Sequence, residues 1–164
     1  MMSKRVSIIM LCFIILGNLV TTNTALACEL PETSTYSTQS DEMIAISQTT
    51  EYINESTYFV ETIYVPTVQP YSNSKYGTKT ATCYSSGTAI FSVSVTGTFT
   101  YDGTSATATS ATKTVVGHVS SATLKSSSSY TSGASAIASA TVTYNGATLQ
   151  KTVTLTCDKN GNLS

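Results

Sequence analysis

The chain has one histidine, His118 in the stretch VVGHVSS, and serines lie on every side of it. A Ser–His pair is part of a hydrolase triad, in which the imidazole takes the hydroxyl proton and a carboxylate orients the imidazole. No G-x-S-x-G turn accompanies this pair, and the alternation around it reads His118 as a surface strand residue. Glycoside cleavage asks for two carboxylates flanking the bond, about 5 to 10 Å apart. Beyond residue 74 the only carboxylate side chains are Asp102, which precedes a turn glycine, and Asp158, near the C-terminus. Turn chemistry explains both. The earlier acidic residues lack the spacing of a calcium loop, and no run of Cys or His is close enough for zinc. The expectation is a protein with no catalytic, metal or cofactor-binding residues, and not an enzyme. A small secreted hydrolase stays as an alternative, and it requires His118 and a carboxylate in one cleft.

Residues whose chemistry is covalent come next. Lys4 and Arg5, the apolar run Val6 to Val20 and the small residues of Ala25-Leu26-Ala27 have the order of a secretory signal. The apolar run is shorter than the roughly 18 to 20 residues of a membrane span, so cleavage after Ala27 is expected. Cys12 would leave with the signal, and Cys28, Cys83 and Cys157 would remain. An odd count in an exported chain means lipidation, intermolecular pairing or a free thiol for one of them, and Cys28 is that one. Ala25-Leu26 stands in the reverse of the usual lipobox order, which favours a secreted, extracellular protein over one lipid-anchored to the outer face of the cell membrane. Leu30-Pro31-Glu32-Thr33 is followed by Ser34 instead of the glycine of a sortase signal.

Charge divides the rest. Seven acidic residues and no Lys or Arg lie between Cys28 and Ser74, and beyond them six lysines face two carboxylates. With no arginine after Arg5, phosphate recognition lacks its usual fork, and nucleic acid is excluded as a partner. All three prolines fall in the acidic part. This gives a signal peptide at 1–27, an acidic Pro-containing leader or stalk at 28–74, and a β domain at 75–164. Within the leader, STYFVETIYV (56–65) alternates as a strand does.

Residues 75–164 read as strands throughout. Ala89, Phe91, Val93, Val95, Gly97, Phe99 and Tyr101 alternate with Ile90 and hydroxyl residues, the pattern of a strand with one wet face. Asp102-Gly103 and Asn145-Gly146 are hairpin turns, and SATATSAT (105–112) returns along the first strand. The second turn follows the alternation of Ala134 to Tyr144. Lys79 to Ser85, Lys113 to Val119, Ala122 to Leu124 and Leu149 to Leu155 complete about seven strands, with Ser126 to Ser129 as a loop. The fold expected is all-β, an immunoglobulin-like β-sandwich after a mostly irregular acidic segment. Its core is thin in alanine and valine, so a bridge between Cys83 and Cys157, closing about 74 residues, is expected to contribute roughly 4 kcal/mol.

The stretches FSVSVTGTFTYDGTSATATS, SGASAIASATVTY and TVTLTCDKNGNLS resemble an uncharacterised family of small exported Ser/Thr-rich β proteins of Gram-positive gut bacteria. The resemblance spans about residues 78 to 164 and implies export and the β fold, with no activity. It also implies a Cys where this chain has Ala108, which makes Cys83 a substitute partner for Cys157.

What remains is surface. There is no Trp, but there are ten tyrosines. Tyr52, Tyr58 and Tyr64 share a parity and form the candidate binding surface, since a phenol ring offers a flat apolar face with a polar tip. The function expected is a non-catalytic exported surface or interaction module whose partner is a protein or a cell-surface glycan, with membrane contact only through a lipid on Cys28. A carbohydrate-binding module is the alternative, and it calls for an exposed coplanar row of Tyr rings.

Overall fold

A computed structural model describes residues 42–68 and 73–164. The signal at 1–27, Cys28, the Leu30 to Thr33 stretch and Pro70 lie outside the described residues.

Eight strands follow in order: β1 (Met43–Tyr52), β2 (Thr57–Pro66), β3 (Ser74–Ser85), β4 (Thr88–Tyr101), β5 (Ala106–Gly117), β6 (Ala122–Ser132), β7 (Ser135–Tyr144) and β8 (Ala147–Thr156). They form two antiparallel sheets, β1-β2-β3-β4-β5 and β6-β7-β8. The fold is therefore all-β and sandwich-like. Its strand order differs from that of an immunoglobulin sandwich, where the chain passes repeatedly between sheets. Here each sheet is a run of consecutive hairpins, and the chain crosses once, between β5 and β6.

Strand β4 shows why the sheets meet. Its alternation puts Phe91, Val93, Val95 and Phe99 on one side, all fully buried, and its serines and threonines on the other. Each large apolar side chain removed from water contributes about 1.5–3 kcal/mol. The second sheet answers with Ala136, Ala138, Ala140 and Val142 from β7 and Val153 and Leu155 from β8. Small side chains on β7 let the sheets come close. Gly97 is the tightest point, because a Cβ there would stand 2.7 Å from the Phe99 ring and 2.8 Å from Ala136. The tight β7–β8 turn is made by Asn145 and Gly146, with φ of 47° and 79°, the left-handed pair such hairpins require.

Several expectations need correction. The division at 74/75 separates nothing structural, because β2 pairs with β3 from Thr57↔Ser85 to Tyr64↔Thr78. The second half of the leader is a hairpin, β1–β2, that completes the large sheet. The stretches 105–112 and 113–119, expected as two strands, are joined in one, β5 (Ala106–Gly117). The serine run Ser126 to Ser129 is strand β6 and not a loop, because its backbone pairs with the alternating strand β7.

The expected Cys83–Cys157 bridge is absent, and both thiols are free and buried. Their positions explain why. Cys157 bridges to Leu163, whose side chain fills the space above Gly77. Cys83 lies six residues further along β3, about 20 Å away at strand rise. A disulfide needs Cα atoms within about 7 Å. Ala108, by contrast, does lie at the Cys157 end. Its N–H donates to Gly133, and the Cys157 N–H donates to Ala134.

Candidate functional site

Opposed residues in an antiparallel pair share a face, so the registers of β1 to β5 map the outer side of the large sheet. One row runs Gln48, Thr62, Thr80, Ser94, Thr114, and the next runs Thr50, Val60, Thr82, Ser92, Val116. A third runs Tyr64, Thr78, Thr96, Thr112. The spacing is about 4.8 Å across strands and about 6.7 Å along them. The outcome is a face made mostly of hydroxyl groups, with Gln48, Val60 and Val116 among them, and none of these positions carries Lys, Arg, Asp or Glu.

Two of its cross-strand pairs are hydrogen-bonded: Thr78 with Thr96 and Thr80 with Ser94, each at 2.8 Å. One proton satisfies each pair. Since every hydroxyl offers a donor and two lone pairs, each pair keeps a donor and several acceptor sites for a ligand.

Tyrosines stand at the end of this face. Tyr52 and Tyr58 were expected along one strand, but they face each other across the β1–β2 hairpin, with ring centroids 5.5 Å apart. Tyr84 on β3 extends the row, 5.2 Å from Tyr58 with planes 11° apart. Rings side by side in one plane would be held further apart by their own edge hydrogens, so this is offset face-to-face stacking. The row is therefore a stacked pair with Tyr52 tilted 43° against Tyr58, it is not coplanar, and the tyrosines offer sugar rings no continuous platform. Tyr52 is 70% exposed and ends the row with an open ring. Tyr64 shares the outer face but lies six residues from Tyr58, about 20 Å along the strand. Tyr84 was missed because only the register of β2 on β3 brings it to Tyr58.

The strand charges are on the other side. Glu51, Glu61, Lys75, Lys79, Lys113 and Lys151 all oppose residues of the inward face. Four of them meet where β1, β2 and β3 approach β8. The Lys151 ammonium binds the carboxylates of Glu51 and Glu61, the latter at 2.8 Å, and Lys79 reaches Glu61 at 3.4 Å. Lys151 also lies 4.8 Å from the Phe59 ring centroid, a cation–π contact. Burial alone would raise the Glu61 carboxyl, but the hydrogen bond and charge of Lys151, with Lys79 behind them, hold it below its ordinary value. Burial likewise works against the Lys151 ammonium, and hydrogen bonds to Glu51 and Glu61 raise its pKa in spite of that. This cluster fastens the β1–β2 hairpin to the second sheet.

His118 does find a serine. Its Nε2 lies 3.2 Å from Ser92 Oγ, but Ser92 is buried. Asp102 and Asp158 are committed elsewhere. Asp102 accepts the N–H groups of Thr104 and Ser105, and Asp158 accepts those of Asn160 and Asn162. These bonds hold both carboxyls below their ordinary values: at Asp102 the backbone donors lead, and at Asp158 the Asn162 side chain does. The Asp102 recess, 350 Å³, is lined also by Asn73, Tyr101 and Ser105. Among the described residues no three His, Cys, Asp or Glu come together as metal ligands. Burial pushes the Cys83 and Cys157 thiols above their ordinary value, with the Asp158 charge adding to the shift of Cys157. Comparison of the chain with protein-family models, with curated proteins and with solved structures gives no match in any of the three.

Proposed function

We propose that the protein is a non-catalytic module, exported from the cell, that docks through the outer face of its five-stranded sheet onto an uncharged, hydroxyl-rich surface, a neutral cell-surface glycan. One observation carries this reading. Every charged side chain of β1 to β5 is on the inward side, and the outer side is uncharged and made mostly of hydroxyls. Placing charge inward and hydroxyls outward reverses the usual economy of a soluble sheet, where exposed charge is the default. A face of neutral donors and acceptors matches a polyol without the desolvation cost that a charged face would carry. The tyrosine row makes a rim for such a contact rather than a platform.

Co-sedimentation with insoluble neutral polysaccharide and with cell-wall sacculi stripped of anionic polymer tests the proposal. Wild-type protein should bind in a manner insensitive to salt, and Thr80→Lys should abolish binding. Thr154→Lys, on the outer side of β8, should leave binding intact. Binding that survives Thr80→Lys but not Thr154→Lys would move the site to the other sheet, and no binding to either material would reject the glycan.

The Ser92–His118 contact favours a second reading, a small hydrolase. It predicts ester or peptide turnover that Ser92→Ala removes. A buried serine and committed carboxylates argue for a structural hydrogen bond instead, and the expected result is no turnover in either protein.

A further inference from the structure

We infer that β1 is the edge through which two copies of this chain join, pairing β1 with β1 antiparallel so that the two large sheets become one. A strand at a sheet edge offers a row of unpaired N–H and C=O groups, and proteins block such rows with lysine, proline or inward-pointing charge. Among the described residues four strands lie at sheet edges, β1, β5, β6 and β8. Three are blocked alike: Lys113 is the only charged residue of β5, Lys125 of β6, and Lys151 of β8. Lys113 and Lys151 point inward, and Lys125 occupies the bulge between Leu124 and Ser126.

β1 is the exception. Its ten residues, MIAISQTTEY, contain neither Lys nor Pro. Its one charge, Glu51, points inward but is a carboxylate held by Lys151 of the same molecule, and its bulge between Ala45 and Ser47 leaves Ser47 to Tyr52 in regular register. Of the eight exposed large hydrophobic side chains among the described residues, four are Ile44, Ile46, Tyr52 and Ile53, on β1 or directly after it.

The composition of β1 also selects a second copy as the occupant. Antiparallel self-pairing centred on Thr49 places Gln48 opposite Thr50 of the other copy on the outer face, and Ser47 opposite Glu51 on the inner one. Both pairs agree with the faces already set by β2. The two Glu51 side chains then stand about 13 Å apart along the join, beyond a Debye length at physiological salt. By the same count Ile46 of each copy comes level with Tyr52 of the other, and Ala45 with Ile53. The join does not depend on what the outer face binds.

Sedimentation velocity of the full chain, under reductant so that Cys28 cannot link copies, tests the inference. Wild-type protein should be dimeric at high concentration. The double substitution Gln48→Lys/Thr50→Lys sets ammonium against ammonium across the join and should give monomer, while Thr112→Lys on β5 should leave the dimer. A second readout is Thr49→Cys in a Cys28→Ser background, which should oxidise to a covalent dimer with wild-type thermal stability, while Thr112→Cys should not. A wild-type protein that stays monomeric at every concentration, or a dimer indifferent to the β1 lysines, would overturn the inference.

Discussion

Replacing Lys151 with Met keeps the length of the side chain and removes the cation that joins β8 to β1 and β2. Exposed ion pairs are worth about 0–1 kcal/mol, and breaking a fully buried one costs about 3–5 kcal/mol. This site lies between those limits, since the side chains of Lys151 and Glu61 are 10% and 19% exposed. Glu51 is 66% exposed and can return to water, and Lys79 stays beside Glu61. Together these give a loss of about 2 kcal/mol, or about 8 °C in melting temperature for a domain of this size. Adding Glu61→Leu should recover most of it, because a buried pair replaced by apolar groups is often neutral. The pH dependence has a definite sign. The Glu61 pKa is lowered in the fold from its ordinary 4.5, so its contribution is present above that value and is lost as pH falls through the lower folded one. The Lys151 pKa is raised from 10.5, so its contribution is present below that value and is lost as pH rises through the folded one. Urea midpoints measured across pH should show both losses in wild-type protein, with the alkaline one gone and the acid one reduced in Lys151→Met. A variant as stable as wild type, with an unchanged pH profile, would refute this account of the cluster.

Further outcomes follow from the packing. Gly97→Ala should destabilise by about 3 kcal/mol in chemical denaturation, at the upper end of the usual cost of overpacking, because the Phe99 ring and Ala136 are fully buried and cannot yield. Gly77→Ala should cost less, about 1 kcal/mol by the same rule, since the atom it meets at 2.5 Å is the end of the Leu163 side chain, which can turn. The Cys83 and Cys157 thiols should resist alkylation in the folded protein and react fully in urea without reductant, and reductant should leave the melting temperature unchanged. Alkylation in urea that required reductant would restore the bridge.

The legible parts of the fold were those where burial writes a period into the sequence. β4 and β7 face the core on one side and alternate accordingly, and Asn145-Gly146 marks its own turn. β1 carries no such signal, because nine of its ten residues are exposed and pairing with β2 alone makes it a strand. The serine run in β6 read as a loop for the same reason. Glu61 was visible between Phe59 and Ile63, on the inward parity, but its partner Lys151 is ninety positions away in the chain. Only the meeting of β2 and β8 at the rim explains a carboxylate there. The cysteines fitted a bridge in a fold whose strand order was assumed, and the actual register sets them at opposite ends. The outer face was half legible: the hydroxyl alternation of β4 showed one strand of it, and the rows across five strands needed the register.

The docking face can be mapped residue by residue. Amide chemical shifts of labelled protein, followed during titration with a soluble neutral oligosaccharide cut from the polysaccharide that the protein sediments with, give that map. The account predicts shifts concentrated at Gln48, Thr62, Thr80, Ser94 and Thr114, fading towards β6, β7 and β8. Shifts confined to the small sheet or to the loops around Asp102 and Asp158 would contradict it.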